Sequence, residues 1–370
     1  MAKVVVFGSY PDSLINFRGA MLEAMVKAGH DVHAFSPPAE PKIVANLRAM
    51  GVTHHAVSLD RTGLNPLRDF SSLLTLVRML RKLQPDCLLA YTIKPVVYGG
   101  LAARLASVRF FAMITGLGYV FSGAGFKGKI LSSVVGFLYR LGLLRAEHVL
   151  FQNQDNLRFF QNRGLLSNPQ QAVLINGSGV DLHYFSMKPL PKAPNFLMIA
   201  RLLHDKGVVE YIDAARQVCK QYPQTKFRLA GWIDDNPAAI SQSELDGWID
   251  EGTIEYLGNL DDVRPALADC AIYVLPSHHE GLPRTVIEAM SVGRPIVTTD
   301  APGCRDTVTE GQNGFLVPVK NSNALANAMM QFLDKPELIS SMAKSSREMA
   351  EERFDVHKVN QVILKTMGLI

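Results

Sequence analysis

Two glutamates eight positions apart, Glu280 and Glu288, stand in the segment HHEGLPRTVIEAMSVGRP at 278–295. Such a pair either decorates a solvated helix or holds hydroxyls and cations, and the flanking residues decide between the two. The run AIYVLPS before them reads as a strand and HHEGL as a loop. Pro283 suits the first turn of a helix, where its missing N–H is not needed. That helix stops at Gly293, and Pro295 blocks its continuation. Glu280 therefore sits at the carboxyl end of a strand. Glu288 lies about 7.5 Å beyond Pro283 along the axis, at 1.5 Å per residue. The amides around Gly281, Leu282 and Arg284 fall at a helix start, a natural place for an anion. A diphosphate there would have a nucleoside on one side and a transferable group on the other, with a carboxylate for the hydroxyls at each end.

A second constellation is ARLLHDKG, in which Arg201 and Lys206 follow a strand and precede a helix. Five residues apart across a turn, they can converge on a pyrophosphate, and guanidinium suits phosphate bidentately. A basic turn alone is usually only solvated. Its position at the first strand-to-helix turn of the half that also carries the glutamates gives it a chemical reading.

The elements that would position these groups alternate strand and helix throughout. KVVVFG, DVHAFS, DCLLAYT, RFFAMITG and HVLFQN read as strands in the first half, with SLINFRGAMLEAMVKAGHDV, PLRDFSSLLTLVRMLRKLQPD, YGGLAARLASV and KGKILSSVVGFLYRLGLLR as helices. The pattern restarts after the proline-rich SMKPLPKAP. NFLMIAR, KFRLAG, IEYLG, AIYVLPS and PIVTTD are further strands, GFLVPVK closes the sheet or its edge, and the tail after it is helical. Alternation of this kind predicts α/β architecture with parallel sheets, as two doubly wound Rossmann-like domains facing across a cleft. The expected division is 1–185, a linker at 186–194, 195–350, and a C-terminal helix at 351–370 that could pack back on the first domain. Neither G-x-G-x-x-G after the first strand nor G-x-x-x-x-G-K-[ST] is present, which disfavours a dinucleotide-dependent dehydrogenase and a P-loop enzyme.

Bulk properties fit this picture. A chain of 370 residues with 48% apolar and 19% charged residues is globular and exceeds one ordinary core. Its four cysteines are scattered, which argues against a disulfide framework or zinc site and fits a reducing cytoplasm. The start MAKVVVFGS has no signal-peptide pattern, and no apolar run reaches the ~18 residues of a membrane span. Residues 1–185 hold 19 Lys and Arg against 10 Asp and Glu, while the rest hold 19 against 24. The basic half is expected to meet an anion; without a nucleic-acid module, a phosphorylated substrate or lipid surface is preferred.

Taken together, ARLLHDKGVVEYIDA, FRLAG, IEYLGNLDDV and AIYVLPSHHEGLPRTVIEAMSVGRPIVTTDAPGCRDTVTEGQNGFLVP resemble glycosyltransferase family 4 (GT4), of the two-domain GT-B fold. In the first half, SLINFRGAMLEAMVKAGHDV, YTIKPVVYGGLAAR and ITGLGYVF are similar to the bacterial subgroup that extends undecaprenyl-diphosphate-linked saccharides in surface-polysaccharide or glycan assembly. The resemblance implies a retaining transferase, a nucleotide-diphosphate sugar donor (UDP expected), no cofactor and no essential metal. It implies that Glu288 holds the ribose hydroxyls and Glu280 the donor sugar, and that Gly231, Gly258 and Asn259 wall the base. Arg201 and Lys206 would neutralise the diphosphate as charge builds on the leaving group. Where many members have a histidine after a first-domain strand, this sequence has Thr115, so no general base is carried over. His278 and His279, adjacent in sequence, would put at most one ring near the site.

On the acceptor side, Ser9, Arg18, Lys94, Tyr98 and Thr115 are candidates, with Arg18 and Lys94 either gripping a diphosphate or serving as surface bases. The segment with Lys127, Lys129, Arg140 and Arg145 is either a core helix with a charged end or a basic amphipathic element that rests on the cytoplasmic face of a membrane. The expected partners are a nucleotide sugar, a polyprenyl-diphosphate-linked saccharide and that membrane surface, with no nucleic acid. Two rivals remain: a UDP-N-acetylglucosamine 2-epimerase on the same fold, and a nucleotide-sugar-binding protein without catalysis.

Overall fold

A computed structural model describes residues 1–59, 66–117, 121, 125–234, 236 and 238–370, with only the backbone described at 66–67 and 125–127. It divides into a first unit, Met1–Ser178 with Val356–Ile370, and a second unit, Gly179–Asp355. The proline-rich stretch 186–194 thus groups with the second unit, and the chain rejoins the first at Val356.

Seven strands form the first sheet: β1 Lys3–Phe7, β2 Asp31–Ser36, β3 Val52–Ala56, β4 Cys87–Tyr91, β5 Arg109–Ile114, β6 Ala146–Phe151 and β7 Ala172–Leu174. Their order is β3-β2-β1-β4-β5-β6-β7, and every pairing is parallel. The second sheet has β8 Asn195–Ile199, β9 Lys226–Ala230, β10 Glu255–Tyr256, β11 Ile272–Leu275, β12 Ile296–Thr299 and β13 Gly314–Val317, in the order β10-β9-β8-β11-β12-β13, again all parallel. The continuous apolar runs seen in the sequence are the central strands: every residue of β4, β8, β11 and β12 is buried. Strands covered by helices on both faces need that composition.

Two local expectations change, and some elements had none. SLINFRGAML is two helices, Asp12–Asn16 and Gly19–Lys27, broken at Phe17 and Arg18. The helices Pro41–Ala49 and Gln154–Asn162 and strands β3 and β7 had no expectation attached. β3 is an edge strand whose two histidines interrupt its apolar character and of which only Val52 is buried, so it carries no apolar run. The helix after the glutamate loop begins at Arg284, with Pro283 as its extended N-cap rather than its first turn.

The C-terminal helix Val356–Met367 completes the first unit. Its Val359, Ile363, Leu364 and Met367 join Met21, Leu22 and Met25 of the helix Gly19–Lys27 in one buried cluster. His30 Nε2 also lies 2.8 Å from the Leu369 carbonyl. Among the described residues, no helix is long and apolar enough to cross a membrane.

Candidate active site

In the second sheet the strand order reverses between β8 and β11, and the turns beyond these strands frame the crevice where such sheets bind ligands. β8 leads through Arg201 to a short turn, His204–Lys206, and β11 leads into the glutamate loop. Hydrogen bonds stitch the two together: the His278 N–H donates to the Asp205 carbonyl at 2.8 Å, and Ser277 Oγ donates to it at 3.2 Å. Gly207, at φ +75°, makes the approach possible, since a Cβ there would stand 2.1 Å from the Pro276 carbonyl oxygen. The outcome is a charge pair built from two distant segments, Lys206 Nζ to Glu280 Oε1 at 2.6 Å, with side chains only 15% and 17% exposed. The Glu280 N–H donates to the Pro302 carbonyl at 2.9 Å, which ties in the loop after β12. Nearby, burial pushes the Cys304 thiol up to about 12, so this cysteine is inert.

Arg201 reaches sideways, donating from a guanidinium N–H to Asp234 Oδ2 at 2.9 Å on the loop after β9. Gly231 comes so close to β8 that a Cβ would lie 1.8 Å from the Ala200 carbonyl. Its N–H donates to the Gly258 carbonyl at 2.9 Å and its own carbonyl accepts from the Tyr256 hydroxyl at 2.7 Å, which joins Gly231 and Gly258; Asn259 is exposed beside them. Gly281 is buried and Leu282 half-buried at the approach to the helix Arg284–Ser291. Glu288, 7% exposed, accepts from Arg284 Nε at 2.7 Å. Burial raises the Glu288 carboxyl above its ordinary value, and Arg284 opposes the shift. His278 pairs with Glu210 at 3.0 Å, on the helix Val208–Gln221.

The first sheet reverses between β1 and β4. Ser9 and Thr92, just beyond these strands, are joined hydroxyl to hydroxyl at 2.8 Å. Lys94 and Tyr98 both donate to one buried carboxylate, Asp69, from Nζ at 2.8 Å and from the hydroxyl at 3.0 Å. Burial, and then that hydrogen bond to Asp69, raise the Tyr98 hydroxyl's pKa. Arg18 is buried rather than displayed: its guanidinium lies 4.9 Å from the Tyr91 ring centroid and donates to Ser178 Oγ at 3.2 Å. Thr115 is half-buried just beyond β5. Residues 118–120 of the ITGLGYVF segment, Asp235 and the Lys127 side chain lie outside the described residues.

Three residues here escaped the sequence reading. Asp69 and Asp234 acquire meaning only from partners 25 and 33 positions away, and no local spacing signals them. Thr92 sits at φ 70° and ψ 159°, a region that a β-branched residue occupies only under strain, and nothing in YTIKP announces it.

Two parallel sheets of this strand order, each with polar groups gathered beyond its reversal point, define the GT-B class. Sucrose-phosphate synthase of Thermosynechococcus elongatus superposes with a TM-score of 0.80 at 19% identity, over 99% of this chain and 98% of that one. Anabaena HepE, solved with UDP, superposes with a TM-score of 0.79 at 20% identity over 100% of both chains. Residues 193–335 match the family described as Glycosyl transferases group 1, and residues 14–153 match Glycosyl transferase 4-like. The chain belongs to these glycosyltransferases. It is 29% identical, over 95% of both chains, to the N,N'-diacetylbacillosaminyl-diphospho-undecaprenol alpha-1,3-N-acetylgalactosaminyltransferase of Campylobacter jejuni. It is 31% identical to the putative colanic acid biosynthesis glycosyltransferase WcaL of Escherichia coli, over 52% of this chain and 50% of that one.

Proposed function

We propose that this glycosyltransferase moves a hexose or N-acetylhexosamine from a UDP-sugar to a saccharide carried on a polyprenyl diphosphate, with retention of configuration and without an essential metal. The observation that carries the reading is the Lys206–Glu280 pair at the second sheet's crossover, with Glu288 behind the adjoining helix start. The donor diphosphate lies against that start, where Arg201 and Lys206 supply the countercharge that another enzyme would take from a cation. Glu280 receives the sugar hydroxyls and Glu288 the ribose, while Gly231, Gly258 and Asn259 flank the base. Ser9, Thr92, Lys94, Tyr98 and Thr115 gather the acceptor on the first unit, and Arg18 backs them. As the bond from C1 to the diphosphate oxygen breaks, the acceptor oxygen bonds to C1 on the same face and its proton passes to the departing phosphate. Likeness to the Campylobacter enzyme along nearly the whole chain supports the lipid-linked acceptor.

A panel of UDP- and GDP-sugars, each incubated with a synthetic polyprenyl-diphosphate saccharide and followed by product mass analysis, tests this. One UDP-sugar should extend the acceptor by a single residue. Lys206→Ala and Glu280→Ala should each cut turnover by about 10²–10³-fold. Unchanged transfer in these variants would refute the site, and epimerised donor formed without acceptor would favour the isomerase instead.

A further inference from the structure

The helix Gly125–Leu143 is apolar on two faces. One face is accounted for: Val135, Tyr139 and Leu143 are buried in the first unit's core, with Leu131 and Leu138 packed against it. The opposite face is not. Ile130, Val134 and Phe137 are 50%, 45% and 61% exposed, and Leu144, just past the helix, is 46% exposed. Their spacing of four, three and seven residues makes one stripe along the helix. Lys129 and Arg140 are exposed beside it, and Arg145 is exposed just past its end.

Charge along the chain identifies what this stripe faces. From 87 to 146 there is no Asp or Glu, and of the seven cations in those 60 residues Lys94 pairs with buried Asp69 and Arg109 with Glu147, which leaves Arg104, Lys127, Lys129, Arg140 and Arg145. A protein partner for an apolar stripe with basic flanks would bring its own acidic rim, but nothing restricts that rim to one helix. A neighbouring element shows the same chemistry. The helix Pro66–Leu83 exposes Phe70 (60%) and Leu74 (40%) one turn apart, followed by exposed Arg78, Arg81 and Lys82. Both helices pack against the helix Ile93–Ala106 between them, so the two apolar-and-basic surfaces belong to one helical layer. Bulky apolar side chains interleaved with cations across adjacent helices match a bilayer interface with anionic headgroups, where the rings and aliphatic chains enter the acyl boundary and the cations stay at phosphate level.

We propose that this helical layer of the first unit is the surface on which the protein docks to an anionic lipid bilayer, with Ile130, Val134 and Phe137 inserted and Lys129 and Arg140 on the headgroups. The inference supplies the membrane partner for the lipid-linked acceptor proposed above, but rests on exposure and charge and not on that acceptor.

Cosedimentation of the full chain with vesicles that contain no polyprenyl lipid tests it separately from the transfer reaction. Binding is expected to vesicles that mix phosphatidylglycerol into phosphatidylcholine, to be weak with phosphatidylcholine alone, and to fall steeply with added salt. Phe137→Glu, and separately the pair Lys129→Glu with Arg140→Glu, should each lower partition about tenfold. Both should leave transfer to a short-chain, water-soluble acceptor unchanged. Equal binding to neutral and anionic vesicles, or partition unaltered in both variants, overturns the proposal. So does concentration-dependent self-association without lipid that Phe137→Glu abolishes, which would make the stripe an interface between two copies. Vesicle binding that follows the variants upholds it even if no lipid-linked saccharide is ever extended.

Discussion

Glu288 is a buried carboxylate whose proton should report on the donor. Its pKa is raised in the free protein because burial disfavours the charged form. The sign follows: stability from this group is full below the ordinary carboxylate value and is lost as pH rises through the raised one. Ribose hydroxyls donating to the carboxylate favour its ionised form, so nucleotide binding should lower the pKa and expel a proton. Affinity for UDP should therefore rise with pH across the window between the bound and free values, and Glu288→Gln should flatten that dependence. Calorimetry in buffers of different ionisation enthalpy measures it, and net proton uptake would contradict the assignment. The placement of the two glutamates, one in a loop and one in a helix, was legible from the strand, proline and glycine around them. Asp69 and Asp234 were not, because a carboxylate that serves a cation on another segment leaves no mark on its own neighbourhood.

Element order was legible wherever strands are buried on both faces, since burial writes itself as an apolar run. It failed at β3 and β7, the two edge strands of the first sheet, which have one buried residue between them. What the pattern of elements does not convey is how closely two turns approach, and that is settled at Gly207. Gly207→Ala would put a Cβ 2.1 Å from the Pro276 carbonyl at a positive φ, driving the Lys206 turn away from the glutamate loop. A loss of about 2 kcal/mol or more in urea unfolding is expected, together with lost transfer. Gly252→Ala has a similar φ, +70°, but open space around it, and should cost about 1 kcal/mol and leave transfer intact. Equal losses in both would mean that backbone conformation, and not the contact between turns, sets the cost.

At the scale of the molecule, the two sheets could be read from the alternation of elements and the return of the C-terminal helix from the helical tail, but the place where the first unit gives way could not. Proline content at 186–194 suggested a boundary, whereas the first unit gives way at Ser178 and resumes at Val356. Composition marks flexible chain, while unit membership depends on which apolar faces meet. Removing residues 356–370 should destabilise the first unit selectively by uncovering Met21, Leu22 and Met25. Hydrogen exchange should quicken in the helix Gly19–Lys27 and hold steady in β8 and β11; uniform protection throughout would show the helix to be dispensable.

That returning helix also sets a timetable for synthesis. Between Ser178 and Val356 the ribosome must make the 177 residues of Gly179–Asp355, which takes on the order of 10–35 s. For that interval the nascent first unit leaves Met21, Leu22 and Met25 without the helix that covers them, and the second unit has its last residue, Asp355, just before that helix begins. The unit that begins first is therefore the last to be complete in sequence, and Met21, Leu22 and Met25 are the apolar surface left to be shielded until then.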